Sequence, residues 1–361
     1  MFDSNDFDAL RRLGLQTSLV SQALGLSTQD EERLMRVVEV QRDRCTLHDG
    51  HQLHEARLWP ALQARLQVQG EGLTVGDWVL ARPDGCGGQW ISAQLPPDHR
   101  LVRRDASGHR QGLVSHVDHA LLVMTCGHDF NLRRLDRYLA LVRLAEVDPV
   151  VVLTQADCHA DPDARVRAVH QHLGAGALQP PVLAVDGRQA QAAQALSPWL
   201  APGRTLVLLG SSGAGKSTLL NTLAGHGADD AQPTGAAREH DGRGRHTTTA
   251  RSLHLCPSGA CVIDTPGLRG LQLDADEADL ARAFDDIAAL SHHCRFRDCQ
   301  HEEEPGCAVR GRVSPDRLLS WHKLQREARR HEQDALQRRE QLSVWKARSR
   351  ATREVMRLKR G

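Results

Sequence analysis

The sequence contains few aromatic residues, which make up only 3% of its 361 positions. Proteins that bind unpaired bases by stacking need exposed aromatic rings, so an extended stacking surface is not expected here. The chain also lacks a large excess of either charge, since its formal net charge is +1. This balance excludes a protein that covers a polyanion with its whole surface, and any contact with nucleic acid must come from local basic patches.

Long apolar runs are missing as well. No run approaches the roughly 18 residues that a membrane-spanning helix needs, and the N-terminus has no basic segment followed by an apolar one, as a secretion signal would have. The nine cysteines are an odd number and are scattered, apart from three near the C-terminus. This pattern fits a reducing compartment better than a disulfide framework, so we expect a cytoplasmic protein without membrane contact.

The length and the changes of pattern along the chain predict several domains. Residues 1–35 are acidic and predict a mobile N-terminal extension. Short apolar segments separated by turn sequences predict a small all-β barrel over 36–113. Strand and helix patterns then alternate over 114–276, which is typical of a doubly wound α/β domain. Charged helical sequence with a Cys/His segment follows over 277–345, and residues 346–361 form a basic tail.

An apolar strand, TLVLLG, leads directly into the glycine-rich segment GSSGAGKST and then into a helical pattern. This order matches the phosphate-binding loop (P-loop) G-x-x-x-x-G-K-[ST] in its required context. The glycines let successive N–H groups turn toward phosphate oxygens, while Lys216 is predicted to reach the β and γ phosphates and Ser217 to ligate Mg²⁺. The predicted phosphate-binding residues are Gly210, Ser211, Ser212, Gly213, Ala214, Gly215, Lys216, Ser217 and Thr218.

Two further segments resemble the switch elements of nucleotide hydrolases. CVIDTPG places Asp264 at the end of an apolar strand, where its carboxylate can hold Mg²⁺ through water, and Gly267 can offer its N–H to the γ-phosphate. The hydroxyl-rich segment GRGRHTTT, Gly242 to Thr249, suits a loop that closes over the metal and the phosphate. Its predicted nucleotide contacts are Thr247, Thr248 and Thr249. A surface loop without nucleotide contacts is the alternative.

A possible base-binding loop comes before the P-loop. The buried strand PVVVL is followed by Thr154, Gln155, Ala156 and Asp157. A carboxylate at this place can accept hydrogen bonds from guanine N1–H and the 2-amino group, whereas adenine has neither donor. The order of base loop, P-loop, switch loop and D-x-x-G is a circular permutation of the usual GTPase order. The sequence therefore predicts a permuted guanine nucleotide site.

These segments together resemble the circularly permuted, small-ribosomal-subunit-dependent GTPases of bacteria, the RsgA type. The resemblance covers roughly residues 36–345 and rests on VGDWV, VDHALLVM, DFNLRRLDRYL, the TQAD loop, GSSGAGKSTLLN, GRGRHTTT, DTPGLR and the Cys/His cluster. It implies a multidomain fold: an all-β barrel of the oligonucleotide-binding (OB) type, a circularly permuted P-loop α/β GTPase domain and a zinc-bearing α-helical C-terminal domain. Members of the family act in late maturation of the small (30S) subunit.

The resemblance also assigns catalytic roles. It implies that His246 helps to position the attacking water, with Lys216 and Asp264 as the other catalytic residues; an idle, exposed histidine is the alternative for His246. Leu268 stands where many GTPases keep a glutamine, and its side chain cannot hydrogen-bond. We therefore expect slow hydrolysis by the chain alone and stimulation by the small subunit. The chain departs from the family pattern at Gln155, where a lysine is usual, and in the loop AVDG (184–187).

Four potential metal ligands lie close together in the C-terminal region. Cys294, Cys299, His301 and Cys307 follow the spacing C-x4-C-x-H-x5-C. Three thiolates and one imidazole make a closed tetrahedral site, so we expect one structural Zn²⁺ per chain. Reduced cysteines without metal are the alternative. His292 and His293 are rival ligands, and His301 is preferred because the family pattern falls on it.

The predicted partners are GTP or GDP, with Mg²⁺, and the small ribosomal subunit with its rRNA. Basic residues that could contact rRNA phosphates are Arg100, Arg103, Arg104 and Arg110 at the end of the barrel, and the tail from Lys346 to Arg360. We expect a monomer. One competing hypothesis is a P-loop ATPase or nucleotide kinase, which a comparison of GTP with ATP binding would separate. The other is an RNA-binding module with a vestigial P-loop and relaxed nucleotide specificity, which measurable turnover would exclude.

Overall fold

The N-terminal extension is helical and packed. The computed structural model describes residues 4–26, 31–41, 44–105, 108–174, 179–225, 250–267, 271–331 and 333. Helices α1 (Ser4–Arg12) and α2 (Thr17–Leu26) come first. Leu10 and Leu19 are each 2% exposed within the main core. The prediction of a mobile tail over 1–35 is therefore wrong for these helices, because their apolar residues face the core while the acids stay outside.

Five strands then close a small barrel. They are β1 (Arg33–Val40), β2 (Cys45–His48), β3 (Leu53–Leu58), β4 (Trp78–Pro83) and β5 (Gln89–Gln94), with α3 (Pro60–Gln69) between β3 and β4. Because β1 pairs with both β2 and β4, the sheet order β1-β2-β3-β5-β4 closes on itself. Val37, Leu47 and Ile91 fill the interior. The predicted all-β barrel is confirmed, and this strand order is that of an OB-type barrel.

The barrel ends earlier than predicted. Strands β6 (Leu101–Arg104) and β7 (Arg110–Val114) form a hairpin that pairs with β14 (Gln272–Leu273) in a separate three-stranded sheet. The predicted limits of 36–113 therefore include a hairpin that does not belong to the closed barrel. Alternating apolar residues give the same pattern in both sheets, so the sequence could not separate them.

A mostly parallel sheet carries the P-loop. Its elements are β8 (His119–Thr125), α4 (Leu132–Leu144), β9 (Asp148–Thr154), α5 (Pro162–Leu173), β10 (Val182–Ala184), α6 (Ala190–Leu196), β11 (Thr205–Gly210), α7 (Lys216–Ala224), β12 (Ser252–Leu255) and β13 (Cys261–Asp264). The strand order is β10-β9-β8-β11-β13-β12, and β12 alone among these runs antiparallel to its neighbour. The chain reverses its direction of growth between β8 and β11, and ligands of such sheets bind at the carboxyl ends of strands near this point.

The barrel and the α/β sheet are joined. Strand β1 pairs with β12 through Glu39 and Ser252, so one sheet of eleven strands runs through both. The fully buried Arg36 adds polar contacts, since its guanidinium donates to the carbonyl oxygens of Leu13 and Gly76 and to Thr205 Oγ1 at 2.8 Å. One side chain therefore ties the N-terminal helices, the barrel and the α/β sheet together.

The C-terminal region packs its helices against α4. It contains α8 (Glu277–Ala283), α9 (Asp285–Ser291) and a C-terminal helix over residues 315–331. The buried Arg317 donates to Asp136 of α4 at 2.6 Å and to both oxygens of Asp286 at 2.7 Å. His172 of α5 lies 2.9 Å from the second oxygen of Asp136. In the described part of the chain, no helix has the length and apolarity needed to cross a bilayer.

Candidate active site

The P-loop begins where β11 leaves the centre of the sheet. Every residue of β11 is buried, and the strand lies between β8 and β13. Gly213 and Gly215 have φ angles of 82° and 87°, a left-handed conformation that favours glycine. A Cβ on Gly210 would lie 2.5 Å from the carbonyl oxygen of Val123 in β8, so this position also requires glycine. The predicted strand, glycine-rich loop and helix therefore occur in the required order.

Lys216 folds back over this loop. It is 7% exposed, and its Nζ donates to the carbonyl oxygens of Gly210 at 3.1 Å and Ser211 at 2.7 Å. Burial lowers the pKa of Lys216, while the nearby carboxylates of Asp264 and Asp129 act in the opposite direction. The ammonium group therefore lies beside the loop whose N–H groups are predicted to bind phosphate.

The D-T-P-G segment lies directly against the P-loop. Asp264 ends β13 and is fully buried, and the hydroxyl of Thr265 donates to Leu208 of β11 at 2.6 Å. A Cβ on Gly267 would lie 2.6 Å from the amide nitrogen of Ser212, so only glycine allows this close approach. The structure thus brings Asp264 and Gly267 to the P-loop, as the sequence predicts.

Thr154 connects the base loop to the P-loop. It is 2% exposed, and its Oγ1 lies 2.7 Å from the carbonyl oxygen of Ala214 and 3.2 Å from that of Met124. The same oxygen lies 3.1 Å from the place that a Cβ on Gly215 would take. The side chain of Thr154 is therefore directed at the P-loop backbone, and it positions the base loop beside the P-loop across 60 residues of sequence.

The rest of the base loop turns sharply at Gln155, whose φ is 56°. Ala156 and Asp157 follow in a short 3-10 turn. The carboxylate of Asp157 is one-third exposed and accepts a 2.7 Å hydrogen bond from Nη2 of Arg188. Nε of the same arginine donates to Asp186 at 3.1 Å. The carboxylate that is predicted to bind guanine therefore lies in the turn after β9 and is paired with a guanidinium.

Arg188 and Asp129 were not identified from the sequence. Arg188 follows the AVDG loop at the end of β10, and the ends of β9 and β10 meet because these strands are parallel neighbours. Asp129 precedes α4; its carboxylate accepts from the Ser211 hydroxyl and, at 2.6 Å, from Arg134 Nη2. The sequence signal that could have pointed to Asp129 was the segment DFNLRR, in which Asn131 caps the N-terminus of α4. The order of the parallel strands would be needed to place either residue.

The four predicted zinc ligands converge. The ligand atoms of Cys294, Cys299, His301 and Cys307 all lie within 4.8 Å of one another. His301 Nδ1 lies 3.6 Å from the sulfur of Cys294 and 3.5 Å from that of Cys307, close to the roughly 3.6 Å expected for ligands of one tetrahedral zinc. The donor set and its spacing therefore fit a closed structural site.

His301 is oriented for this role. It is 3% exposed, and its Nε2 lies 2.9 Å from the hydroxyl of Ser291, which leaves Nδ1 toward the thiols. Such a hydrogen bond to the second ring nitrogen is usual for metal-binding histidines. Within the described residues the metal-compatible group contains neither His292 nor His293. The preference for His301 is therefore supported by the geometry.

The predicted basic patch near the barrel is partly neutralised. Arg104 and Arg110 both pair with Asp274, at 2.6 and 2.5 Å, and Arg100 pairs with Glu71 at 3.3 Å. Arg103 donates to the side chain of Gln111, which carries no charge and so does not neutralise it. The four arginines therefore form a weaker positive surface than their sequence suggests.

Several predicted residues lie outside the described residues. They are His246, Thr247, Thr248 and Thr249 of the switch loop, Leu268 after D-T-P-G, and the tail from Lys346 to Arg360. The described site consists of the P-loop, the D-T-P-G segment and the base loop. These three elements can bind phosphate, orient a metal ion and recognise a base.

Comparison with known proteins agrees with this geometry. The RsgA GTPase family model matches residues 95–274. The small ribosomal subunit biogenesis GTPase RsgA of Xylella fastidiosa (strain 9a5c) is 45% identical over 304 residues, covering 82% of this chain and 85% of the relative. Small ribosomal subunit biogenesis GTPase RsgA 2 of Vibrio vulnificus (strain CMCP6) is 43% identical over 262 residues, covering 71% and 72%.

Two solved structures share the fold. YjeQ from Thermotoga maritima superposes with a TM-score of 0.59 at 24% identity, covering 82% of this chain and 98% of that protein. YloQ, described as a circularly permuted GTPase, superposes with a TM-score of 0.57 at 20% identity, covering 84% and 98%. The permuted order of motifs in this chain therefore corresponds to a fold that is already known.

Proposed function

Because the chain belongs to the RsgA GTPase family, we propose that it hydrolyses GTP during biogenesis of the small ribosomal subunit and that the subunit stimulates its turnover. The observation that carries this proposal is the hydrogen bond between Thr154 and Ala214. It joins the base loop, which contains Asp157 as the proposed guanine-binding residue, to the P-loop although the base loop comes first in the chain. A site for guanine and a site for phosphates are thereby adjacent.

GTP binding follows from these positions. Guanine N1–H and the 2-amino group donate to Asp157 after its pairing with Arg188 has been released. The phosphates accept hydrogen bonds from the N–H groups of the P-loop and are attracted by the positive end of the α7 dipole. Lys216, now bound to two neutral carbonyl oxygens, exchanges them for phosphate oxygens, since a charged acceptor forms the stronger hydrogen bond.

Ser217 and Asp264 are the residues that would hold Mg²⁺. Both offer oxygen ligands, which Mg²⁺ prefers. Ser217 begins α7 directly after Lys216, and Asp264 lies at the end of the neighbouring strand. When bound, Mg²⁺ supplies positive charge to the β and γ phosphates.

Hydrolysis requires a positioned water molecule. His246 is the proposed positioning residue, by its place in the switch loop, because Leu268 offers no hydrogen-bonding group. Phosphoryl transfer depends mainly on positioning and charge stabilisation, and a group supplied by a partner can raise its rate about 10³- to 10⁵-fold. The chain alone is therefore slow, and the small subunit completes the site.

The remaining regions serve the encounter with the subunit. One zinc ion, held by the four C-terminal ligands, keeps the C-terminal region folded. The protein acts as a monomer in the cytoplasm. The barrel, Arg103 and the tail from Lys346 to Arg360 contact rRNA phosphates. Such contacts weaken as salt rises because bound counterions are released from the RNA.

Nucleotide hydrolysis with purified subunits tests this function. GTP and ATP are compared, each with no subunit, with small subunits and with large subunits, at low and at high salt. We expect slow GTP hydrolysis by the chain alone, strong stimulation by small subunits at low salt, and little ATP turnover. Equal stimulation by large subunits, or an unchanged rate with small subunits at low salt, would contradict the proposal.

A second comparison tests the switch loop and the C-terminal tail separately. His246→Ala should lower the stimulated rate without loss of GTP binding. Removal of residues 345–361 should lower subunit affinity and stimulated turnover while sparing the unstimulated rate. An unchanged stimulated rate in His246→Ala would remove this residue from the mechanism while leaving the GTPase assignment intact.

A further inference from the structure

A groove of about 640 Å³ lies between α4 and the C-terminal helix, and no P-loop residue lines it. Five of the side chains that line it are cationic, namely Arg133, Arg134 and Arg137 of α4 and Lys323 and Arg326 of the C-terminal helix. Glu327 is the only acid among its described lining residues. We call this feature the α4 groove. Its charge makes it a candidate site for an anion.

The cations of the α4 groove differ in whether a carboxylate neutralises them. Arg137 forms a bidentate ion pair with Glu327 at 2.7 Å, and Arg134 forms an ion pair with Asp129. In contrast, no carboxylate of the described residues pairs with Lys323 or Arg326, and both side chains belong to exposed residues. Arg326 donates through Nε to the carbonyl oxygen of His322 at 3.4 Å, so Lys323 and the terminal nitrogens of Arg326 remain available to a ligand that enters the groove.

Two buried donors at the same place also lack partners. Nε of Arg134 and the hydroxyl of Tyr138 are buried without a hydrogen-bond partner among the described residues. Tyr138 is 1% exposed and lines the groove. Buried polar groups are normally hydrogen-bonded, so such a pair of unmatched donors indicates a ligand with acceptor oxygens. An anion with several oxygen atoms meets this requirement.

We propose that the α4 groove binds a phosphodiester segment of the small subunit's rRNA, an inference that rests on the proposed function. The groove is much larger than one phosphate group and falls within the roughly 300–1,000 Å³ range of ligand pockets. Its cations are spread over two helices, which suits consecutive phosphates. Leu319 at its edge is 54% exposed and offers apolar surface to a ribose or a base.

The α4 groove is connected to two phosphate-side elements of the nucleotide site. Arg134 holds Asp129, whose carboxylate accepts the hydroxyl of Ser211 in the P-loop. Arg137 donates at 2.6 Å to the carbonyl oxygen of Leu271, four residues after Gly267. An RNA phosphate that engages these guanidinium groups competes with Asp129 and Leu271 for them. Binding in the groove therefore changes the restraints on the P-loop and on the D-T-P-G segment.

The test uses the full-length double variant Lys323→Ala/Arg326→Ala, with Arg330→Ala as matched control. Arg330 is an exposed cation of the same helix that does not line the groove. Affinity for purified small subunits is measured over a range of salt, together with GTP hydrolysis with and without subunits. We expect about tenfold weaker binding, a log–log salt slope reduced by one to two, and less stimulation at subsaturating subunit. Unstimulated hydrolysis and the control should match the wild type.

Tyr138→Phe provides a second, independent variant because it removes only the hydroxyl. It should weaken subunit binding by about threefold while leaving unstimulated hydrolysis and the folded circular dichroism spectrum unchanged. If small subunits stimulate the wild type but both variants bind them with wild-type affinity and salt slope, the groove inference is overturned and the proposed function stands. If small subunits neither bind nor stimulate the wild type, both proposals fail.

Discussion

Asp157 is the residue on which base choice is expected to depend. In Asp157→Asn the charged acceptor for guanine is lost, and two charge-assisted hydrogen bonds weaken together. GTP affinity should fall roughly 100-fold. Xanthosine triphosphate should bind the variant better than GTP, because an amide can donate to the 2-oxo group that replaces the 2-amino group.

Competition between nucleotides for a fluorescent guanine nucleotide measures this change. ATP serves as the control and should compete poorly with wild type and variant alike. If the wild type binds ATP as well as GTP, Asp157 does not set base choice.

Arg188 should oppose nucleotide binding, since its guanidinium is paired with the carboxylate that is proposed to bind guanine. The Arg188 side chain is largely solvent-exposed, so the pair contributes little to stability. Arg188→Ala should therefore tighten GTP and GDP binding by about two- to fivefold, measured by titration calorimetry. Weaker binding in this variant would mean that Arg188 contacts the nucleotide instead.

The residues of the site were predictable where the chemistry is local. Lys216, Ser217, Asp264 and Gly267 belong to short motifs that combine strand, loop and helix. Arg188 and Asp129 could not be predicted, because their contacts join segments 31 and 82 residues apart. Such contacts depend on which strands are neighbours in the sheet, which a single sequence does not state.

At the scale of elements, the Cys/His cluster that could hold a metal ion lies in the turns between α9 and the C-terminal helix. Zinc-bound thiolates contribute directly to folding, by about 10 kcal/mol or more in small zinc domains. In Cys299→Ser the site loses one ligand, so zinc content should fall and the C-terminal region should become sensitive to proteolysis. GTP binding should remain measurable because the P-loop belongs to the α/β sheet and not to the C-terminal region.

Elemental analysis of the purified protein checks this prediction. The wild type should contain close to one zinc per chain, and a chelator should reproduce the protease sensitivity of the variant. His293→Ala is the matched control and should keep its zinc, since His293 is not part of the cluster. A wild type without near-stoichiometric zinc would contradict the assignment.

The buried ion pairs of Arg317 join the C-terminal helix to α4. In Arg317→Met, Asp136 and Asp286 lose the guanidinium that neutralises them in a buried place. Removing one partner of a buried pair costs about 3–5 kcal/mol. Chemical denaturation should show a loss of this size.

An exposed ion pair supplies the control for this measurement. Arg329 pairs with Glu277, and about half of each side chain is exposed. Arg329→Ala should cost no more than about 1 kcal/mol. Equal losses in the two variants would show that burial does not set the strength of the Arg317 network.

At the scale of the whole molecule, the order of the domains along the chain was predictable, but the residues at which they begin and end were not. The change from period two to helical periodicity separates the barrel from the α/β sheet. The hairpin β6–β7 has the same periodicity as the barrel, and only its pairing with β14, far away in sequence, sets it apart. The N-terminal helices were missed because the acids near both ends of residues 1–35 suggested a polar tail, and a partner surface is needed to recognise the leucines between them as core.

The N-terminal helices should therefore contribute to global stability. Leu10 is 2% exposed, whereas Leu24 of α2 is 64% exposed. Leu10→Ala should lower the free energy of unfolding by about 2–5 kcal/mol, as is usual for buried leucines. Leu24→Ala should change it by less than about 0.5 kcal/mol. Thermal unfolding of both variants compares them, and equal stability would restore the interpretation as a mobile tail.

The pairing of β1 with β12 has a mechanical consequence. Strand β12 begins at Ser252, just after the segment predicted to be the switch loop, and its antiparallel partner β13 ends at Asp264. On its other side β12 pairs with the barrel at one residue pair, Glu39 and Ser252. Arg36 and a shared hydrophobic core join the same two bodies, so the barrel and the sheet form one continuous unit. A shift of β12 during GTP turnover would therefore be transmitted to the outer barrel surface and to any RNA that this surface contacts.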